Sequence, residues 1–155
     1  MSRMHRAACF AVFCFAAAND ALADECAALA VEVSGATNAA IVRRSGGDVV
    51  FLKHGLADSS SIACRSMISP SFFISEDRAY PKPGFFDYAG LAGSIVARST
   101  VENVRSGALK CVTAALKSKD EVADMVQNGV SFECQAFTRD GGAVSVNIFR
   151  RKNSG

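Results

Sequence analysis

Four widely scattered cysteines limit how this chain can fold: Cys26, Cys64, Cys111 and Cys134. Two further cysteines lie in an N-terminal segment that we expect to be removed. An even number of cysteines in an exported protein is typical of structural disulfides, and four cysteines allow three pairings. We favour Cys26–Cys64 and Cys111–Cys134, because each pair joins neighbouring predicted elements. A redox or metal role is the alternative, but the sequence contains no CxxC motif.

The N-terminal segment has the pattern of a secretory signal peptide. Arg3 and Arg6 give a basic start, residues 7–18 are apolar, and small residues end the segment at Ala23. The pattern predicts a signal peptide over residues 1–23, cleavage between Ala23 and Asp24, and one domain over residues 24–155. The apolar stretch is shorter than the roughly 20 residues that span a bilayer. We therefore expect no transmembrane anchor and a location in the periplasm or outside the cell. A buried N-terminal helix and a lipid anchor at Cys26 are the alternatives.

The first half of the mature chain indicates strands. Residues 39–44 and 48–53 are β-branched runs on either side of a glycine turn, which predicts a hairpin. Residues 61–67 predict a third strand, and residues 30–34 predict a strand that precedes the hairpin.

The second half indicates helices followed by a closing hairpin. Apolar residues recur at helical spacing over 88–96 and 101–116, and Ser99 with Glu102 forms a capping-box pattern. A second box, Ser118 with Glu121, predicts a third helix that stops at Asn128-Gly129. Residues 130–136 and 144–148 alternate as two strands. The chain is therefore predicted to be α+β, with a mostly antiparallel sheet covered by two to three helices.

Few residues could carry catalysis. His54 is the single histidine of the mature chain, and Asp58 and three serines follow it, but there is no GxSxG motif. We interpret His54 as a solvated loop residue. A carboxylate pair could act without histidine. Its candidate members are Glu76, Asp77, Asp87, Glu102 and Glu133. We expect no metal and no cofactor, and the net charge of +2 is too small for a nucleic-acid partner.

The segment 72–86 concentrates aromatic residues around two prolines: Phe72, Phe73, Tyr80, Phe85 and Phe86. One interpretation is a binding loop that uses Phe72, Phe73, Tyr80 and Lys82, because aromatics dominate interface hot spots. The other interpretation places Phe72 and Phe73 on a buried strand and packs Phe85 and Phe86 beneath the first helix. Tyr80 and Lys82 are the most exposed pair under either interpretation.

These observations favour a non-enzymatic exported protein that binds another macromolecule of the cell envelope, either an unknown protein or a cell-wall polymer. One alternative is a small envelope hydrolase that uses His54 or a carboxylate pair. Another is a soluble accessory subunit of an envelope complex.

Overall fold

The structure is a computed structural model that describes residues 17–46, 48–64 and 69–151, with side chains described from Glu25 onward. The described part is α+β, as predicted. The helices are α1 (Ala17–Thr37), α2 (Pro83–Ala97) and α3 (Val101–Lys117). The strands are β1 (Ala40–Ser45), β2 (Val49–Lys53), β3 (Ser59–Ala63), β4 (Ser71–Glu76), β5 (Val122–Gln127), β6 (Val130–Phe137) and β7 (Ala143–Arg150).

The seven strands form one antiparallel sheet in the order β1-β2-β3-β4-β7-β6-β5. The first four strands follow each other as a meander, and the last three form a second meander. Helices α2 and α3 connect the two meanders, and β7 then pairs with β4 at the centre of the sheet. Both predicted hairpins are present, as β1–β2 and β6–β7.

Strand alternation places one face of the sheet beneath the helices. Side chains of this face are almost fully buried, as the core residues Val50, Ile62, Phe72, Ile74, Phe132, Val146 and Ile148 show. The helices approach closely because they present small residues. A Cβ built on Gly93 would lie 3.0 Å from Ile148 Cδ1, and one on Gly107 would lie 2.5 Å from Phe132 Cε2.

Both disulfides have the predicted pairing. Cys26–Cys64 joins α1 to the end of β3, with a Cα–Cα distance of 5.8 Å. Cys111–Cys134 joins α3 to β6, with a Cα–Cα distance of 5.9 Å. Each bridge therefore ties a helix to the sheet.

Two predicted elements are wrong, and a third differs in extent. Residues 30–34 belong to α1, because Cys26, Ala30 and Val33 recur at helical spacing and are fully buried. The segment predicted as a third helix is strand β5, which pairs along its whole length with β6. The predicted third strand is β3, which spans Ser59–Ala63, and residues 65–67 of that prediction lie outside the described residues.

The start of α3 differs from its predicted cap by one residue. Thr100, rather than Ser99, is the N-cap, and its Oγ1 accepts a hydrogen bond of 3.2 Å from Asn103 N. Ser99 Oγ instead accepts from Asn103 Nδ2. Ser118 ends α3 and does not open another helix.

Candidate functional site

His54 lies in the loop after β2, as predicted, but it is half-buried and not fully solvated. Its ring stacks on that of Tyr88, with centroids 4.1 Å apart, and its Nδ1 accepts a hydrogen bond from Leu56 N. Ser60 Oγ lies 2.9 Å from the Tyr88 hydroxyl and donates to Leu52 O. Burial raises the pKa of Tyr88 above its ordinary value, so its phenol keeps its proton over a wider range of alkaline pH. The cluster therefore holds α2 against β2 and β3.

The hydroxyl and carboxylate groups near His54 do not form a triad with it. Asp58 Oδ2 accepts from Asp77 N at 2.7 Å, which links two loops. Within the described ranges, no side-chain hydrogen bond connects His54 to Asp58 or to Ser60. Hydrolysis of the serine–histidine–aspartate type needs the nucleophile, the base and the orienting carboxylate within hydrogen-bond reach of one another.

The five candidate carboxylates are dispersed over the end of β4, α2, α3 and β6. Glu76 and Asp77 lie at the end of β4, and Glu76 pairs with Arg78 at 2.6 Å. Asp87 on α2 pairs with Arg105 on α3. Glu102 lies in the first turn of α3. Glu133 lies on β6, where it accepts from Asn147 Nδ2 at 3.0 Å.

One pair of carboxylates does face each other across two strands, but one member, Asp124, was not among the candidates from the sequence. Asp124 on β5 lies directly opposite Glu133 on β6. Asn128-Gly129, interpreted as a hairpin turn, is the signal that would have revealed this register. No group of three or more histidine, cysteine or acidic side chains in the described part of the chain could hold a metal ion.

The structure separates the four predicted interaction residues. Phe72 has 0% exposure in the core, so a partner cannot contact it and its assignment as an interaction residue is corrected. Phe73, next along β4, points to the opposite face of the sheet and is half-buried. Tyr80 is 72% exposed, and Lys82 is also exposed. Phe85 and Phe86 are buried on α2, as the second interpretation of this segment states.

Tyr80 lies at the end of the sheet where the β2–β3, β4–α2 and β6–β7 loops come together; we call this the loop end. The three loops brace one another. The bond from Asp77 N to Asp58 joins the first two, and Gly142 of the third lies so close to Ala79 that a Cβ would be 2.6 Å from Ala79 Cβ. Tyr80 is therefore exposed on a loop whose backbone is held in place by the buried Ala79 and by the bond from Asp77 N to Asp58.

The second accessible surface is the face of the sheet that points away from the helices; we call it the open face. The contacts of the helices described above all reach the other face. The side chains of the open face include Phe51, Ser61, Phe73, Ser75, Asp124, Glu133, Gln135, Ser145, Asn147 and Phe149.

Two shallow depressions lie on the open face towards β5. The larger has a volume of about 460 Å³ and is lined by Phe73, Asp124, Glu133 and Asn147 among others. The smaller, of about 370 Å³, is lined by Val126, Phe149 and the same two carboxylates. The open face therefore combines half-buried aromatic rings with negative charge.

Comparisons with protein-family models, with curated proteins and with solved structures gave no match for this chain. In the part of the chain that the structure describes, no helix has the length and apolar character needed to cross a membrane.

Proposed function

We propose that this chain is an exported, non-enzymatic protein that binds another macromolecule of the cell envelope, and that the loop end makes the contact. The exposure of Tyr80 carries this proposal. The Tyr80 side chain is 72% exposed, whereas the other aromatic residues of segment 72–86 are buried or half-buried. A large exposed aromatic on a surface is the kind of residue that dominates binding energy when a partner covers it.

The support beneath Tyr80 favours binding. Ala79 is buried, Pro81 follows, and the bond between Asp77 and Asp58 holds the loop to its neighbour. A braced loop with a fixed proline φ loses less conformational entropy when a partner orders it. Lys82 adds a charged group to this surface, and Leu56, which is 41% exposed, adds apolar area.

The disulfides support export, since such bonds persist in oxidising compartments. The dispersal of the candidate catalytic groups supports binding over hydrolysis. His54 is occupied by its stack with Tyr88, and Glu76 and Asp87 are each paired with an arginine.

The protein is recovered from the export fraction, where its intact mass is expected to show Asp24 as the first residue. The binding test is whether this protein captures an envelope protein or isolated cell-wall polymer. The double variant Tyr80→Ala with Lys82→Ala should bind at least tenfold more weakly, which is about 1.4 kcal/mol. Its melting temperature should not change, because both side chains are exposed.

The matched control is Leu109→Ala with Lys117→Ala, which removes one exposed apolar group and one lysine from α3. It should bind like the wild type. Equal capture by both double variants would contradict the proposal. A loss of binding that accompanies a fall in melting temperature would show that the loop contributes packing and not contact.

A further inference from the structure

The open face carries its charges at opposite edges. One row of directly paired residues crosses all seven strands, with one residue from each strand. In order from β1 to β5 the row is Arg43, Phe51, Ser61, Phe73, Asn147, Glu133 and Asp124. The cation at one end and the two carboxylates at the other make the face electrostatically asymmetric.

Both charged ends are available. The Arg43 guanidinium lies over the Phe51 ring, with Cζ 4.1 Å from the centroid, so the positive charge stands above the open face. At the other edge, Asp124 has no hydrogen-bond or ion-pair partner among the described side chains. Asp124 also lies opposite Glu133, and like charges directly across a strand pair destabilise the pairing of the two strands. A cation placed above this pair would remove the repulsion.

We propose that a second copy of this chain docks face to face on the open face, with a two-fold axis that runs along β4. Three strands lie on each side of β4. The axis therefore places β1 of one copy over β5 of the other, β2 over β6, and β3 over β7. Such isologous two-fold pairs are the commonest homo-oligomers.

The row becomes self-complementary under this operation. Arg43 faces Asp124 of the second copy. Phe51 faces Glu133 of the second copy. Because the Arg43 guanidinium lies over the Phe51 ring, it approaches both Asp124 and Glu133 of that copy. Ser61 faces Asn147, which allows a hydrogen bond between their polar groups. Phe73 lies against its own counterpart on the axis, where aromatic side chains contribute most.

Charge also excludes the other face-to-face arrangement. A two-fold axis perpendicular to the strands would stack β1 on β1 and β5 on β5. The basic edges would then face each other, as would the acidic edges, and close like charges cost several kcal/mol. Opposite charges at opposite edges therefore select the axis along β4.

The face is large enough for a stable pair. The seven strands are separated by six spacings of about 4.8 Å and are about 20 Å long. The flat area of the open face is therefore roughly 600 Å², and the protruding side chains add to it. A standard specific interface covers about 800 Å² on each partner. Sheets that pack face to face with nearly aligned strands interdigitate their side chains at about 10 Å separation. The half-buried Phe51, Phe73 and Phe149 supply apolar area for this contact.

The test is sedimentation equilibrium of the mature protein over a concentration series. The wild type should be a dimer. Arg43→Asp and Asp124→Arg should each raise the dissociation constant at least tenfold, because each places like charges opposite each other. An equimolar mixture of these two variants should dimerise again, since a copy with two acidic edges then faces a copy with two basic edges. Lys119→Asp, an equal charge change in an exposed loop, should leave the dimer intact.

A wild-type monomer at every concentration would overturn the proposal, as would a dimer that Arg43→Asp does not weaken. Single variants that lose the dimer but do not recover it on mixing would also overturn it, because Arg43 and Asp124 would then not face each other across the interface. Circular dichroism of each variant verifies the fold. The loop end lies outside the open face, so this result is independent of the capture experiment.

Discussion

Gly107→Ala tests whether α3 rests on the sheet as closely as the structure shows. Gly107 is buried on α3 above Phe132 of β6. A Cβ at this position would lie 2.5 Å from Phe132 Cε2 and 3.0 Å from Cε1. The ring has 0% exposure and little room to move, and the disulfide between Cys111 and Cys134 holds the helix to the same strand. The added methyl group must therefore displace packed atoms.

The expected magnitude follows from two opposing effects. Replacing glycine by alanine inside a helix stabilises by about 1 kcal/mol. Overpacking a tight core costs about 1–3 kcal/mol, and the bridge and the buried ring place this site at the upper end. We expect a net loss of about 2 kcal/mol in the free energy of unfolding. Gly35→Ala is the matched control, because Gly35 lies in α1 with nothing within 4 Å of its Cβ. It should stabilise by about 0.5 kcal/mol.

The assay is urea unfolding followed by far-ultraviolet circular dichroism, since the chain contains no tryptophan. Phe132→Leu should be less harmful in the Gly107→Ala background than in the wild type, because a smaller side chain makes room for the methyl group. If Gly107→Ala is as stable as Gly35→Ala, or if the effects of the two core changes simply add, the close contact does not exist.

Two further predictions concern the bridges and the histidine. The unreduced chain that begins at Asp24 should take up no alkylating label, and it should take up four labels after reduction. A label on the native protein, seen by mass spectrometry, would contradict this. Removal of the Cys111–Cys134 bridge, with its separation of 23 residues, should cost about 3 kcal/mol. His54→Ala should lower the free energy of unfolding by about 1 kcal/mol through loss of the stack on Tyr88, and an unchanged urea midpoint would show that the stack contributes nothing.

Helices α2 and α3 and the hairpins β1–β2 and β6–β7 were predictable because their signals are local. Residues 101–116 repeat apolar side chains at helical spacing, and the buried face of α3 uses that repeat. The pairing Cys111–Cys134 was predictable because the local patterns gave α3 and β6 correctly, whereas Cys26 lies in helix α1 and not before the strand that was expected. The exposure of Tyr80 was predictable from its place beside Pro81, whereas the burial of Phe72 depended on β4 pairing with two neighbours.

The β5 segment shows why a local signal can have two meanings. Asn128 and Gly129 have φ values of 47° and 77°, which is the left-handed conformation that both a helix end and a hairpin turn require. The dipeptide predicts that conformation correctly and does not distinguish the two. Pairing of Val122–Gln127 with β6 decides for the strand, because each of its residues then has a partner across the ladder.

The sequence by itself determined the class of fold and the sites of the turns, since these follow from periodicity and backbone preference over a few residues. Only the tertiary structure decided which residues share a surface. Phe72 pairs with Ile148, and Arg43 and Asp124 stand at the two ends of one row although they lie far apart in the chain. Strand order and register of this kind depend on how α2 and α3 return the chain to β4. A shift of one residue would reverse every side chain between the core and the open face.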